Sequence, residues 1–338
     1  MIKSIISNGS YKFHLAPLAS ELSKTGELAA FFTAGYPKGW LHEISKKIPN
    51  KGMQRLVNRR ENIPDELVYA FNYSELFFKT GDLLLRKISQ EHQQRIHIKG
   101  FESYSRSAQK VMSKIDFDIY HYRDCYGLQS AEFARSIGKK TVCDHSIGHP
   151  YAISYLLNNP EESLPTIIPP QPLSILEKQY LIDFNYADYI LVNSDFVKET
   201  FVASGFPASK IYVIYWGIDT QFLSFSDKHL QNRGERKKEK DLLFCGDWGK
   251  RKGVLQLMEA LEKLENEDWT LTIAGGINND VAFKWDTFYK KFKSRITFLG
   301  VLTRDELAKL MSLFQIFIFP SLMEGSARVV FEALASGC

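Results

Sequence analysis

The chain has 338 residues, of which 44% are hydrophobic and 24% charged, and its formal net charge is +4 at pH 7. This length suits two domains rather than one, and the hydrophobic fraction is sufficient for buried cores without disulfides or metal ions. A charge of +4 does not by itself indicate a nucleic-acid-binding protein, because that class concentrates its basic residues on one surface.

The cysteines and the first residues argue against secretion. No Cys-x-x-Cys pair occurs among Cys125, Cys143, Cys245 and Cys338, so we expect inert thiols in a reducing compartment rather than a zinc site or a redox pair. The apolar run at the N-terminus is interrupted at residues 8–10, and stretches such as Ile316 to Pro320 are too short to span a bilayer. We therefore expect a cytoplasmic protein, with no metal ion and no bound cofactor.

The first elements in chain order are typical of a Rossmann-like unit. A strand is predicted at residues 2–6, a small-residue turn at 7–10 and a helix at 15–22, where apolar residues recur at helical spacing.

Residues 36–115 give a weaker pattern, dominated by a basic and partly amphipathic stretch. Its cations are Lys46, Lys47, Lys51, Arg55, Arg59 and Arg60. Two interpretations stay open, a solvated helix face or contact with an anionic membrane surface or a phosphorylated lipid acceptor.

Strands and helices alternate regularly from residue 117 to 215, which predicts a parallel sheet. Almost nothing in residues 226–240 can be buried, so we predict a charged linker there. We expect two Rossmann-like domains, one at residues 1–225 and one at residues 241–338.

The second alternating series stops early. Its last residues, Ser336-Gly337-Cys338, stand where a helix cap would lead to a further strand. The series has about 100 residues, at the low end of the usual range for a domain. We therefore expect the second domain to be incomplete and the chain to be truncated at its C-terminus.

The most specific pattern begins where a strand stops at Pro320. A loop then presents Glu324, and Gly325 lets the backbone approach a ligand closely. The helix predicted to open there would offer free amide groups and a favourable dipole to a diphosphate. Glu332 lies a little over two turns along it, within reach of a sugar on that phosphate. The alternative is a pair of unrelated helix carboxylates.

The spacing of Glu324 and Glu332 matches Glu-x7-Glu, and the pattern resembles the family 4 retaining glycosyltransferases, which have the GT-B fold. The resemblance implies that Glu332 holds the donor ribose and that Glu324 lies beside the transferred sugar. It also implies two Rossmann-like domains that face each other across a cleft, with residues 1–225 as the acceptor domain and residues 241–338 as the donor domain.

A second match is the run from Cys245 to Gly253, where Lys252 would neutralise the departing phosphates. Asp247 stands where many family members have an arginine, and Arg251 or Lys250 would then supply that cation. Further matches are residues 187–219, which are architectural, and residues 299–301, near the donor base.

The N-terminal match is thinner. Asn8-Gly9-Ser10 stands where the family has a small-residue loop over the diphosphate, with one glycine in place of two. His145, at a strand end, matches a histidine that contacts the donor sugar in the family, and His149 is a weaker candidate. The resemblance is dense over 187–338 and thin over 1–150.

Together these matches predict the site. Its catalytic residues are Glu324 and His145, and no metal is expected. Its donor-binding residues are Gly9, Ser10, Arg251, Lys252, Val301, Gly325, Ser326, Ala327, Arg328 and Glu332. The partners implied are a nucleotide-sugar donor and a glycan or lipid-linked acceptor, with peripheral contact at the inner face of the membrane and no nucleic acid.

Three other functions are compared with this one. A dinucleotide-dependent oxidoreductase needs Gly-x-Gly-x-x-Gly after a strand, which residues 7–10 lack. A nucleic-acid-binding protein is suggested only by the basic stretches. A truncated or degenerate nucleotide-binding module without catalysis is supported by the early stop and by Asp247.

Overall fold

The computed structural model describes residues 1–11, 13–39, 42–43, 56–81, 84, 89–218, 220–232, 235 and 240–338. These residues form two compact units. The first comprises Met1–Tyr151 and Ile167–Val213, and the second Ala152–Thr166 and Ile214–Cys338.

The first unit is built around a parallel sheet. Its strands are β1 (Ser4–Gly9), β2 (Leu28–Thr33), β3 (Val68–Ala70), β4 (Ile119–Arg123), β5 (Lys140–Asp144), β6 (Tyr189–Val192) and β7 (Ile211–Val213). The strand order is β3-β2-β1-β4-β5-β6-β7, and every pairing is parallel. Helices alternate with the strands: α1 (Leu15–Lys24), α2 (Asn72–Thr80), α3 (Gln90–Met112), α4 (Leu128–Ser136), α6 (Ile175–Tyr186) and α7 (Asp195–Ala203). Helix α5 (Pro150–Asn158) begins in this unit, and from Ala152 onwards its residues belong to the second unit.

The second unit repeats this architecture with fewer strands. These are β8 (Asp241–Cys245), β9 (Thr270–Ala274), β10 (Ile296–Gly300) and β11 (Ile316–Phe317), in the order β10-β9-β8-β11. Its helices are α8 (Thr220–Gln231), α9 (Val254–Lys263), α10 (Ala282–Phe292), α11 (Arg304–Leu313) and α12 (Arg328–Ala335).

Both sheets are buried on both faces. Ile5 and Ile6 are neighbours on β1, point to opposite faces, and belong to different apolar clusters. Leu243 and Phe244 do the same on β8. Phe244 packs on Trp248 in a cluster rich in aromatic side chains, which also contains Trp269 and Trp285. Helices cover both faces of each sheet, as parallel sheets require, and the predicted α/β class with two Rossmann-like units is confirmed.

Local signals placed several helix ends correctly. Ser194 caps α7 by accepting a hydrogen bond from the Val197 amide. Thr303 and Glu306 form the expected capping box of α11.

The predicted linker differs from the structure. Helix α8 extends to Gln231, so residues 226–231 are helical. Phe222 and Ser226 are buried, and the hydroxyl groups of Ser226 and Ser336 lie 3.0 Å apart. The division between the units follows Val213 rather than residue 225. Residues 233–234 and 236–239 of the predicted linker lie outside the described residues.

Four cations of the basic stretch, Lys46, Lys47, Lys51 and Arg55, lie outside the described residues. Arg59 and Arg60 are engaged within the protein, with Glu75 and Asp65 respectively. Among the described residues, no helix combines the length and the apolar character needed to cross a bilayer.

Candidate functional site

In each unit the candidate residues gather at the carboxyl edge of the sheet, where the strand order reverses. In open parallel sheets, ligands bind at this point because two adjacent loops diverge there. The reversal lies between β1 and β4 in the first unit and between β8 and β11 in the second. Lys252 and Glu324 follow the ends of β8 and β11.

In the second unit, Glu324 is bound by the two basic side chains predicted to hold phosphate. Its Oε1 lies 2.6 Å from Nη1 of Arg251 and 2.6 Å from Nζ of Lys252. Ser321 Oγ donates to the same oxygen at 2.8 Å. The Lys252 side chain is 13% exposed and its ammonium group lies over the Phe319 ring. Of the two residues predicted as the second cation, Arg251 contacts Glu324 and Lys250 is exposed.

The loop that presents Glu324 is fixed by Arg251. The Leu322 amide donates to the Arg251 carbonyl at 3.0 Å, and Arg251 Nη1 donates to the Met323 carbonyl at 2.9 Å. The segment that follows β8 thus positions the loop that follows β11, and with it the carboxylate of Glu324. Such support is needed to hold a site in a defined geometry.

Helix α12 begins later than predicted. Arg328 is its first residue and Ala327 its N-cap, so Gly325 and Ser326 belong to the preceding loop. The loop bonds between residues 321–324 and Arg251 delay the turn into the helix. Arg328 is exposed, with its guanidinium group 5.5 Å from the centre of the Trp216 ring.

Glu332 is on α12, and its Oε1 lies 3.2 Å from Nη2 of Arg304 on α11. Its side chain is 16% exposed. Val301, predicted near the donor base, follows β10 and is almost fully exposed. The predicted donor residues of this unit therefore lie on the loops and helices that follow β8, β10 and β11.

In the first unit, Gly9 and Ser10 follow β1 as expected. Gly9 has a φ of +74°, and a Cβ there would lie 2.5 Å from the Tyr126 ring. The backbone conformation and the Tyr126 ring therefore both require glycine at this position. Ser10 is buried, and its carbonyl accepts from Nη1 of Arg123 at 3.2 Å.

His145 directly follows β5 and is enclosed. Its side chain has 0% exposure, Nδ1 is hydrogen-bonded to the Asp124 carboxylate, and Nε2 lies 3.3 Å from the Gly148 carbonyl oxygen. The rings of Phe184 and Phe201 pack on it. The predicted contact with a donor sugar stays a prediction, and it requires this ring to become exposed.

A cluster that the sequence interpretation did not assign lies beside it. Asp144 Oδ2 is 2.8 Å from Nε2 of His14 and 3.3 Å from Nε2 of His121. Burial alone would raise the pKa of Asp144, but the hydrogen bonds from His121 and His14 outweigh it and the pKa falls to about 2. The available signal was the position of Asp144, at a strand end directly before His145.

His149, the weaker candidate, is buried among aromatic rings. Burial, with a smaller contribution from His145, lowers its pKa to about 3. The ring is therefore neutral at physiological pH, and it packs against Phe184, Phe201 and Phe206.

Comparison with known families agrees with the geometry of both units. Residues 67–222 match the model described as Glycosyltransferase Family 4. Residues 225–338 match the model described as Glycosyl transferases group 1. A relative, described as an uncharacterized glycosyltransferase of Methanocaldococcus jannaschii, is 30% identical over 166 residues, which are 47% of this chain and 43% of the relative. The alignment thus spans less than half of that relative's length.

Three solved structures with similar folds are distant in sequence. The N-terminal domain of Candida albicans trehalose-6-phosphate phosphatase aligns with a TM-score of 0.61 at 14% identity, over 99% of this chain and 80% of that one. A UDP-forming trehalose-phosphate synthase of Burkholderia xenovorans gives a TM-score of 0.57 at 14% identity, over 100% and 82%. HepE of Anabaena, in complex with UDP and glucose, gives a TM-score of 0.53 at 15% identity, over 99% and 79%.

At these identities the structures show the fold, and the expected GT-B class is confirmed. The two family matches follow one another along the chain and together cover most of it, including the loops that hold Arg251, Lys252 and Glu324. The chain belongs to the glycosyltransferases of the group 1 and family 4 type.

Proposed function

We propose that the protein transfers a sugar from a nucleotide-sugar donor to a glycan or lipid-linked acceptor, with retention of anomeric configuration, in polysaccharide biosynthesis. The observation that supports this most strongly is the arrangement of Arg251, Lys252 and Glu324 at the strand-order reversal of the second unit. Two cations and a carboxylate side by side suit a substrate that joins a diphosphate to a sugar.

The donor chemistry follows from these groups. Arg251 and Lys252 would neutralise the charge that develops on the diphosphate as the glycosidic bond breaks. The N-terminus of α12, close to Glu324 in sequence, adds amide donors and a favourable dipole. Glu332 would accept hydrogen bonds from the ribose hydroxyl groups. The complex of HepE with UDP and glucose supports the same class of donor.

Retention follows in this proposal from attack on the face that the diphosphate leaves. The departing phosphate would help to remove the proton from the acceptor hydroxyl group, and Glu324 would lie beside the sugar. Glycosidases instead use a carboxylate nucleophile paired with a carboxylic acid, and our proposal requires no such pair.

We assign acceptor binding to the first unit. A cavity of about 420 Å³ lies at the carboxyl ends of β2 and β3. It is lined by Tyr36, Lys38, Val68, Tyr69, Ala70, Phe71 and Asn72. Its mixed polar and aromatic lining suits a sugar or the head of a lipid-linked glycan.

Peripheral membrane contact is supported by the exposed face of α2. Tyr73, Leu76 and Phe77 are 84%, 63% and 37% exposed, and Lys79 is exposed beside them. An apolar face with a cation is typical of helices that lie in a membrane interface. We expect the protein to sediment with vesicles that contain phosphatidylglycerol, and the double variant Tyr73→Ser/Leu76→Ser to lose this binding. Equal sedimentation of both proteins would contradict the assignment.

The donor proposal is tested first by thermal melts with UDP, GDP and ADP. A nucleotide at 100 times its dissociation constant stabilises the native state by roughly 2.7 kcal/mol. We expect one of the three to raise the melting temperature, and Lys252→Ala to abolish the shift. Lys263→Ala removes an exposed charge from α9 and serves as the matched control. No shift with any nucleotide would count against the transferase.

Turnover then separates the transferase from the non-catalytic nucleotide-binding module. Release of nucleoside diphosphate from the corresponding nucleotide sugar would be followed with oligosaccharides and lipid extracts as acceptors. We expect Glu324→Gln to lower turnover without weakening nucleotide binding, and the product to retain the donor's anomeric configuration by NMR. Nucleotide binding without turnover under any of these conditions would favour the binding module.

A further inference from the structure

The carboxylate of Glu324 is the most heavily engaged acidic group at the candidate donor site. A single oxygen, Oε1, accepts from Arg251, Lys252 and Ser321 at 2.6, 2.6 and 2.8 Å. The two cations assigned to phosphate are thus already paired with an anion of the protein itself. Charge-assisted hydrogen bonds of this length are among the stronger interactions in proteins.

The N–H groups with which the two cations contact Glu324 are held in place by their surroundings. Lys252 is mostly buried and its ammonium group is confined beside the Phe319 ring, 4.8 Å from the ring centre. Arg251 Nη1 is also committed to the Met323 carbonyl at 2.9 Å. A phosphate oxygen that takes the N–H groups now directed at Glu324 would replace Oε1 between the two cations.

We infer that Glu324 is a resident counter-ion, which the diphosphate of the donor replaces, and that this replacement releases its carboxylate for the transferred sugar. The inference rests on the proposed donor site and adds an order of events to it. A sugar without a diphosphate does not compete for the cations, so Glu324 stays paired with them. A nucleotide sugar supplies the anion and the sugar together and so recruits the carboxylate.

If Glu324 simply contacted the ligand, its removal would weaken diphosphate binding. The exchange predicts the opposite. Glu324 weakens diphosphate binding, because the diphosphate must replace its hydrogen bonds to the two cations. Removal of its charge leaves Arg251 and Lys252 without their counter-ion. We expect Glu324→Gln to bind inorganic pyrophosphate about tenfold more tightly than wild type while its turnover falls.

The test is isothermal titration of the full chain with inorganic pyrophosphate, and then with UDP, GDP and ADP. Glu259→Gln is the control, because it removes one negative charge from the same unit at a pair with Lys284 on the surface. It should bind pyrophosphate as wild type does. Ser321→Ala is a second, milder variant that removes one donor to Glu324, and we expect it to bind pyrophosphate about two- to threefold more tightly.

The outcomes separate the two proposals. If wild type binds pyrophosphate and both Glu324→Gln and Ser321→Ala bind it equally or more weakly, the counter-ion exchange is wrong and the donor site stands. If neither pyrophosphate nor a nucleotide binds to wild type or to Glu324→Gln, Arg251 and Lys252 are not a phosphate site and both proposals fail. Tighter binding by Glu259→Gln as well would assign the effect to net charge and overturn the exchange.

Discussion

A Cβ atom on Gly253 would lie 1.8 Å from the carbonyl oxygen of Pro320. Gly253 also has a φ of +67°, in the left-handed region that favours glycine. The turn after Lys252 is therefore pressed against the loop that leads to Glu324. We expect Gly253→Ala to destabilise the second unit by more than about 3 kcal/mol, the sum of left-handed strain and overpacking, as measured by urea unfolding.

Gly300 provides the matched control for this substitution. Its φ is +69°, it lies in the same unit, and a Cβ there would meet nothing within 4 Å. Gly300→Ala should therefore show the strain alone, about 1–2 kcal/mol. Equal losses of stability in the two variants would mean that the Pro320 contact relaxes at no cost.

His149 should make the protein sensitive to acid. Its pKa is lowered to about 3 by burial, whereas an unfolded histidine titrates near 6.5. The unfolded state therefore binds more protons between these values, and the free energy of unfolding falls as the pH drops from about 6.5 towards 3. One pH unit changes the free energy of unfolding by about 1.4 kcal/mol per proton. Between pH 6.5 and 5 we therefore expect the free energy of unfolding of His149→Phe to fall by about 2 kcal/mol less than that of wild type.

The change in slope is the readout for His149, because the variant also loses the hydrogen bond from the Tyr151 amide to Nδ1 at every pH. His92→Gln, which changes an exposed histidine of α3, serves as the control. Parallel stability curves for wild type and His149→Phe would show that the ring accepts a proton within the fold.

Asp183 should change the pH dependence of stability in the direction opposite to His149. It is buried on α6, and burial raises its pKa to about 7 although the amides of Leu128 and Gly127 donate to it at 2.6 and 3.2 Å. The folded state therefore holds a proton that the unfolded state loses near pH 4, and stability falls as the pH rises from about 4 to 7. Relative to Asp183→Asn, we expect wild type to lose about 4 kcal/mol across this window.

Each of the two pH effects has to be measured against its own variant, since the opposing slopes overlap in wild type. Urea midpoints at pH 4.5, 5.5 and 7 suffice for both. If Asp183→Asn has the same pH dependence as wild type, the carboxylate is ionised throughout this range, stabilised by the two amides at the start of α4.

The Arg59–Glu75 pair should be costly to break. Two hydrogen bonds of 2.7 and 3.0 Å join them, and their side chains are only 11% and 6% exposed. Glu75→Ala leaves a buried guanidinium group without its counter-ion, at a cost of about 3–5 kcal/mol. The double variant Arg59→Met/Glu75→Leu should recover most of this loss in thermal melts. A single variant that melts like wild type would contradict the importance of the pair.

The sequence predicted those features that depend on neighbouring residues. The capping residues Ser194 and Thr303 and the alternation of strands with helices need only local spacing, and the structure has them. The family resemblance assigned Lys252 and Glu324 to one donor site, but the direct ion pair between them, across 72 positions of the chain, was not predicted.

Features that depend on distant partners were missed. Ser226 was assigned to a linker because its neighbours are polar, yet a short hydroxyl can be buried when it meets Ser336. The burial of His145 depends on rings from α6 and α7, which the residues around it do not reveal. The start of α12 was placed early because the bonds that hold the preceding loop come from Arg251.

The uneven placement of tryptophan gives the two units separate optical signatures. Four of the five tryptophans, Trp216, Trp248, Trp269 and Trp285, belong to the second unit. Trp248 is fully buried and should emit at short wavelength until its cluster unfolds, whereas Trp216 lies beneath the guanidinium group of Arg328. An anion that draws Arg328 away would change the emission of Trp216 and leave that of Trp248 constant, so intrinsic fluorescence distinguishes occupancy of the donor site from unfolding of the unit.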